Sequence, residues 1–240
     1  MRGIGTIVNF AAVLLGAIVG MFLKNGISER IRAIIMQACG LSVIFIGAAG
    51  ALCGMLTIND GVIGSQNAML VTLSLVIGGI LGELINIEQH LDTLGEKLKA
   101  MVKSKGDNKF AEGFVTATLV ICVGAMAIVG PLKDGISADA SMLYIKAVLD
   151  FVIIVVLAAV YGIGVMFSAF ALLLYQGIIT AFAVLIEPFM SDALISNLSC
   201  VGSVLVFGVG INLTFGNKIR VGNLLPAFFL PIIYEIFTLI

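Results

Sequence analysis

The sequence predicts an all-α, polytopic membrane protein with seven to eight transmembrane helices. Hydrophobic residues fill 60% of its 240 positions and charged residues only 11%, and the mean hydropathy is +1.19. A soluble domain is about half apolar and about a quarter charged, so this chain lacks the polar surface that a water-soluble globule of its size needs. The net charge of −1 provides no basic surface for nucleic acid. The expected surroundings are therefore a lipid bilayer.

Eight stretches have the length and composition of a membrane-spanning helix, which needs about 20 mainly apolar residues. They are residues 4–23, 34–57, 67–87, 111–132, 143–166, 168–187, 194–215 and 221–240. The last stretch contains two prolines and Glu235, so it is the least regular of the eight. The spans follow one another along the whole chain, which predicts a single transmembrane domain over residues 1–240.

Basic residues predict the orientation of these spans, because loops rich in Lys and Arg stay on the cytoplasmic side. Ten of the thirteen Lys and Arg residues lie in the connections after the first, third and seventh spans. These connections therefore face the inside, and both termini face the outside. The connection after the third span, residues 87–108, has apolar residues at spacings of three and four. It is predicted to form an amphipathic helix along the inner membrane surface.

Two segments 62 residues apart have nearly the same sequence. LLGAIVG at 14–20 and VIGGILG at 76–82 align Gly16 with Gly78 and Gly20 with Gly82. Small residues four apart favour close helix packing, either within a chain or between two copies of it. We therefore expect tight helix contacts at these glycines, and a homodimer is one way to form them.

The following segments extend this similarity to whole helical hairpins. VIFIGAAG at 43–50 resembles VICVGAMA at 120–127, and VGSVLVFGV at 201–209 is a fainter third copy. The predicted hairpin repeats cover about residues 5–57, 67–132 and 168–215. The fifth span lies between the second and third copies, so the chain enters the third copy from the opposite side of the membrane. This predicts an inverted repeat of the kind that secondary transporters use.

Asp150 is the clearest polar residue inside a predicted span. It follows Lys146 by four residues in the fifth span, so both side chains lie on one helix face. An ionisable residue within the hydrocarbon is a functional candidate by default. Two interpretations stay open: Asp150 binds a proton or cation during transport, or it forms a neutralised structural pair with Lys146.

The sixth span contains a second polar group. Gln176 lies in its interior, with Tyr175 beside it and Thr180 one turn later. The side-chain amide of Gln176 offers both donors and an acceptor to a polar solute or an ion. The same amide is equally able to bridge two helices.

The seventh and eighth spans carry residues that interrupt helices. Gly208, Gly210 and Asn212 near the end of the seventh span are expected to let that helix open and to free carbonyl oxygens for an ion. Asn223 and the prolines after it interrupt the start of the eighth span. Adjacent broken segments form the binding sites of many transporters, whereas the plainer interpretation is a helix end and a proline kink.

A second group of polar candidates comprises Asn9, Gln37, Ser42 and Glu83. The first two are suited to hydrogen bonds between helices, and Glu83 lies near the inner boundary. The four cysteines form no C-x-x-C pair and the chain has one histidine, so neither a metal site nor a cofactor is expected. No nucleophile and base stand at a recognisable spacing, and the chain is not expected to be an enzyme.

Several long strings resemble the YqgA/YdfK family of bacterial inner-membrane proteins. They are GFVTATLVICVGAMAIVGPLKDGISAD at 113–139, IKAVLDFVIIVVLAAVYGIGVMFSAFALLLYQGIITAFA at 145–183, LLGAIVG, GVGINL and KIRVGNLLPA. The resemblance covers nearly the whole chain and implies a multi-pass protein of the bacterial inner membrane. The family has no established function, although it is commonly described as membrane transport. The matching strings include Asp150, Tyr175, Gln176, Asn212 and Asn223.

These observations favour a secondary transporter of a small solute or ion, coupled to H⁺ or Na⁺ and working by alternating access about the hairpin repeats. A channel lined by the Gly- and Ala-rich helices is an alternative. Another is a non-transporting scaffold that binds a partner through the inner amphipathic helix.

Overall fold

The computed structural model describes residues 1–24, 28–59, 61–101, 109–122 and 125–238. Most of these residues are helical. The α-helices are α1 (Ile4–Lys24), α2 (Glu29–Met55), α3 (Ala68–Ile85), α4 (Ile87–Met101), α5 (Phe110–Cys122), α6 (Ala125–Ser137), α7 (Ser141–Tyr161), α8 (Ser168–Ala181), α9 (Ala183–Ile186), α10 (Asp192–Phe215), α11 (Val221–Leu224) and α12 (Leu230–Thr238). Short 3₁₀ helices occupy Ile163–Phe167, Glu187–Phe189 and Leu225–Phe229.

Within the described residues, six helices are long and apolar enough to cross a membrane: α1, α2, α3, α7, α8 with the 3₁₀ turn before it, and α10. Helices α5 and α6 form a seventh span if they are taken together, and their axes are inclined by 61° across a short break. The apolar helix Val221–Glu235, in the eighth predicted stretch, is shorter than a full span. The all-α, polytopic membrane fold is therefore confirmed.

The chain divides into two compact units that each draw on distant parts of the sequence. Unit 1 comprises Met1–Cys39, His90–Cys122 and Met126–Phe189, and unit 2 comprises Gly40–Gln89, Val123–Ala125 and Met190–Ile240. The helix α2 contributes to both units, because Cys39 and Gly40 are consecutive residues within it.

Unit 1 is built around the contact between α1 and α7. Gly16 and Gly20 face α7 so closely that a methyl group on Gly16 would lie 2.8 Å from the carbonyl oxygen of Phe151. Beside them, Val13 and Ile154 are fully buried. The first Gly-x-x-x-Gly pair thus brings two backbones of the same chain together, which is its ordinary role in membrane helices.

Unit 2 uses glycines in the same way on different helices. Gly78 and Gly82 of α3 lie against the segment that contains Asn223 and Ala227, and a methyl group on Gly78 would lie 2.7 Å from the β-carbon of Ala227. Gly47 of α2 faces the backbone of α10 at Phe207. Both aligned glycine pairs therefore pack against other helices of the same chain. The homodimer and the inverted repeat remain predictions, and these glycine contacts give no additional support to either.

The predicted opening of the seventh span at Gly208–Asn212 is wrong. Helix α10 runs without interruption from Asp192 to Phe215. Gly210 serves close packing instead, because a methyl group there would lie 2.6 Å from the backbone nitrogen of Ile44 in α2. Among the described residues, interruptions lie instead in the fourth predicted span, where α5 and α6 replace one helix over 111–132, in the sixth, between α8 and α9, and in the eighth, where a 3₁₀ turn separates α11 from α12.

A small β-hairpin between α2 and α3 is absent from the sequence-based prediction. Strands β1 (Leu56–Asn59) and β2 (Val62–Ser65) pair antiparallel, with Leu56 opposite Ser65. Gly61 lies in the turn between them with a φ of +78°, a conformation that favours glycine. The Asn-Asp-Gly string at 59–61 is a turn signal of the kind that connects such hairpins.

The amphipathic segment is a helix where the structure describes it. Helix α4 covers Ile87–Met101, and the rest of the predicted segment, residues 102–108, lies outside the described residues. Gly95 is its buried residue and faces Ala111 of α5. Its predicted location on the inner membrane surface fits a helix that buries so little of itself.

Candidate functional site

Four polar side chains from three helices meet inside unit 1. Lys146 Nζ lies 2.5 Å from Asp150 Oδ2, both on α7. The amide nitrogen of Asn9 on α1 donates to Asp150 Oδ2 at 3.1 Å and to Gln176 Oε1 on α8 at 3.3 Å. Asn9 and Gln176 are completely buried, and Asp150 and Lys146 are 4% and 6% exposed. The structure thus brings together Asp150, Gln176 and Asn9, which lie on three separate spans in the sequence.

The Lys146 ammonium has a second oxygen partner at the break in the fourth span. It donates to the backbone carbonyl oxygen of Ile121 at 2.7 Å. Ile121 lies in the last turn of α5, and the last carbonyls of a helix are commonly bonded by groups from outside the helix. The C-terminal end of a helix also carries partial negative charge, which favours a cation. The broken span therefore contributes directly to this polar cluster.

Two atoms of the cluster have no hydrogen-bond partner among the described residues. They are the acceptor Asn9 Oδ1 and the donor Gln176 Nε2, and both are buried. Nearly all buried polar atoms in folded proteins are hydrogen-bonded to protein or water. The cluster therefore has one acceptor and one donor that a polar ligand or an ordered water molecule could satisfy.

A pocket of about 380 Å³ is lined by other residues of α1 and α8. Thr6 and Thr180 line it, and their hydroxyl oxygens are 3.1 Å apart. Thr6 precedes Asn9 by three residues and Thr180 follows Gln176 by four, so each threonine shares a helix face with its amide neighbour. Arg2 also lines the pocket.

Asp134, which sequence reasoning missed, fixes the start of α1 beside this pocket. Its carboxylate accepts hydrogen bonds from the backbone nitrogens of Gly3, at 3.2 Å, and Gly5, at 2.9 Å. The side chain is completely buried. These N–H groups would otherwise lack partners, because the first turn of a helix leaves its donors free. The only signal in the sequence is an acidic residue just beyond the predicted fourth span.

The remaining candidates do not join the cluster. Tyr175 is half-buried on α8, and Gln37 and Ser42 are exposed on α2. A methyl group on Gly208 would lie 3.3 Å from the side chain of Val221, so this glycine too lies at a packing contact.

Asn212 closes the turn after α10. Its Oδ1 accepts from the backbone nitrogens of Lys218 and Ile219, both at 2.9 Å, and its Nδ2 donates to the carbonyl of Ile219 at 2.6 Å. Both ends of the side-chain amide therefore bond to the backbone of the same turn. Its contacts are those of a turn-stabilising residue.

Asn223 organises a second polar group, within unit 2. Its Oδ1 accepts from the backbone nitrogen of Glu88 at 2.7 Å, and its Nδ2 donates to Glu83 Oε2 at 2.7 Å. Arg220 pairs with the other oxygen of Glu83 at 2.5 Å. Asn223 is 3% exposed, so this side chain ties the first turn of α4 to the end of α3 from the inside.

Asn223→Ala is therefore expected to lower the free energy of unfolding by about 1–2 kcal/mol, because it leaves the Glu88 N–H and a Glu83 oxygen without their partner. Arg220→Ala is the matched control, since it removes an exposed ion pair on the same carboxylate and should cost at most about 1 kcal/mol. Thermal unfolding of the detergent-purified protein measures both. Equal losses in the two variants would contradict a structural role for the Asn223 amide.

Comparison with known proteins places nearly the whole chain in one family. A family model described as "Protein of unknown function (DUF554)" matches residues 4–236. The chain belongs to the DUF554 family. Among its relatives, the "Uncharacterized membrane protein YdfK" of Bacillus subtilis (strain 168) is 31% identical over 227 residues, which are 95% of this chain and 93% of the relative. The "Uncharacterized protein YqgA" of Escherichia coli (strain K12) is 28% identical over 231 residues, 95% of this chain and 94% of the relative.

The resemblance noted from the sequence is thus confirmed, and so is the assignment as a membrane protein. No solved structure matches the chain significantly. The descriptions of the DUF554 family and of these relatives name no substrate.

Proposed function

We propose that this DUF554 protein is a secondary transporter of the bacterial inner membrane that moves a small polar solute by alternating access. One observation carries the proposal: a fully buried polar cluster lies among membrane-spanning helices and retains, among the described residues, an unpaired acceptor on Asn9 and an unpaired donor on Gln176. Polar and ionisable groups are expensive within a bilayer and usually mark a solute or ion pathway.

The break between α5 and α6 supports the same proposal. Transporter sites are commonly formed where a spanning helix is discontinuous, because the ends of the half-helices expose backbone groups to the ligand. Here the end of α5 contributes the Ile121 carbonyl to the cluster.

The chemistry of the cluster favours a small, uncharged solute. Lys146 and Asp150 neutralise one another, so a ligand that meets the two free atoms has no net charge to balance. It needs a donor for Asn9 Oδ1 and an acceptor for Gln176 Nε2, which primary amides, urea and small polyols provide. The pocket of about 380 Å³ that Thr6 and Thr180 line has the volume for such molecules, and neither Asn9 nor Gln176 lines it.

A ligand screen tests this proposal. The purified protein is heated in the presence of amides, urea, polyols, amino acids, carboxylates and salts, because a ligand that binds the folded state raises its stability. We expect a stabilising ligand whose affinity falls about tenfold in Gln176→Ala, the loss that one ligand hydrogen bond explains. Gln37→Ala, which removes the same group from an exposed site on α2, should leave the affinity unchanged.

Flux into proteoliposomes then distinguishes transport from the alternatives. Saturable uptake of the ligand that is lost in Gln176→Ala supports a transporter. Stepwise single-channel currents would instead indicate that the protein is a channel. A protein without flux or currents, whose cellular role is lost when residues 88–108 are deleted and kept in Gln176→Ala, would be a scaffold.

A further inference from the structure

The surroundings of the Lys146 ammonium are those of a bound cation. Its Nζ atom lies between a carboxylate oxygen of Asp150 and the backbone carbonyl oxygen of Ile121. The carbonyl comes from the C-terminal end of the half-helix α5. Carboxylates and the exposed carbonyls of interrupted helices are the oxygen ligands with which membrane transporters hold coupling cations.

We infer that the Lys146 ammonium occupies a monovalent-cation site as a cation tethered to the chain, so that no separate Na⁺ binds there. This inference rests on the proposed function, because a tethered cation at this site would make the transport cycle independent of Na⁺. The site matches a single positive charge, because Asp150 is the carboxylate that Lys146 contacts among the described residues.

The oxygen atoms that contact Lys146 would remain in place if its side chain were removed. Asn9 Oδ1 is buried beside Asp150 and has no partner within the described part of the chain, while the amide nitrogen of the same side chain already contacts the carboxylate. Removal of the Lys146 side chain beyond its β-carbon would leave the Asp150 carboxylate and the Ile121 carbonyl facing a vacated volume, with the Asn9 amide nitrogen still bonded to the carboxylate. A buried carboxylate without a countercharge is strongly unfavourable, so a small cation is expected to enter.

The experiment compares melting temperatures of the full-length protein in choline chloride, NaCl, KCl and methylammonium chloride at equal ionic strength. The wild-type protein should melt at the same temperature in all four. Lys146→Ala should melt lower in choline chloride and recover, saturably, with at least one of the smaller cations. A cation at a hundredfold over its dissociation constant would raise the melting temperature by about 5–10 °C.

Three variants serve as controls. Lys146→Met loses the charge but keeps the volume filled, so it should not respond to cations. Lys146→Ala combined with Asp150→Asn has no carboxylate and should not respond either. Lys99→Ala removes a lysine of α4 that pairs with Glu96 and should behave as the wild type does.

Two results would overturn the inference. One is a Na⁺-dependent rise in the melting temperature of the wild-type protein that Asp150→Asn abolishes. This result can be obtained even if no Lys146 variant folds. The other is a folded Lys146→Ala protein that none of the cations stabilises. Neither result depends on a solute, so a failed ligand screen with a normal cation response would count against the transporter and not against the tethered cation.

Discussion

Asp150→Ala is expected to lower the free energy of unfolding by about 3–5 kcal/mol, because it leaves the buried ammonium of Lys146 without its countercharge. Lys146 is 6% exposed, so its side chain has no short route to water. The remaining contact with the Ile121 carbonyl does not neutralise the charge. For a chain of this length the loss corresponds to a fall of about 10 °C in melting temperature, which a thermal unfolding curve in mild detergent measures directly.

Two further variants identify the cause of that loss. Asp150→Leu combined with Lys146→Met removes both charges at similar volume and should recover most of the stability, since apolar residues often replace a buried ion pair without cost. Asp192→Ala removes an exposed carboxylate in the first turn of α10, and it should cost at most about 1 kcal/mol. If Asp150→Ala were no worse than Asp192→Ala, the buried pair would not be holding unit 1 together.

The sequence was sufficient for features that depend on nearby residues. Lys146 and Asp150 are four positions apart on one helix, so their pairing follows from helical geometry alone. The spans and helix α4 follow from the composition and the period of apolar residues. Membership of the family followed from long matching strings, which need no knowledge of tertiary contacts.

The shared site was beyond that reasoning, because its members come from separate helices. A hydrogen bond from Asn9 to another helix is predictable, but nothing in the sequence indicates that its partners are Asp150 and Gln176. Ile121 contributes only a backbone atom, which no side-chain pattern can reveal. The contribution of Ile121 depends on the break after α5, where the sequence predicts a single helix.

Asparagines and glycines are the residues whose roles the sequence leaves most open in this chain. Asn212 and Asn223 are polar residues near helix ends, where an amide can bind a ligand or satisfy backbone groups, and both make backbone hydrogen bonds. A glycine such as Gly210 permits either a helix break or the close approach of two helices. Its contact with Ile44 of α2 shows that this glycine serves close approach. Sequence specifies what such a residue permits, and the packing around it determines which possibility is used.

Gly20→Ala and Gly82→Ala are each expected to destabilise the protein by about 3 kcal/mol, because the added methyl group meets backbone atoms that cannot move independently. At Gly20 the methyl group would contact the carbonyl of Val155 and lie 2.7 Å from the β-carbon of Ala158. At Gly82 it would lie 2.6 Å from the carbonyl carbon of Asn223 and contact its oxygen. These are the positions that the internal repeat aligns, one in each unit, and melting temperatures of the two variants measure both losses.

Gly177→Ala is the matched control, since a methyl group on Gly177 in α8 has no neighbour within 4 Å among the described residues. There the substitution should be neutral or stabilise the helix by up to about 1 kcal/mol, the ordinary advantage of alanine over glycine. Losses at Gly20 and Gly82 together with no loss at Gly177 would assign both Gly-x-x-x-Gly pairs to packing within the chain. Stable, folded Gly20→Ala and Gly82→Ala proteins that had lost a dimeric state would instead assign these glycines to an interface between two copies.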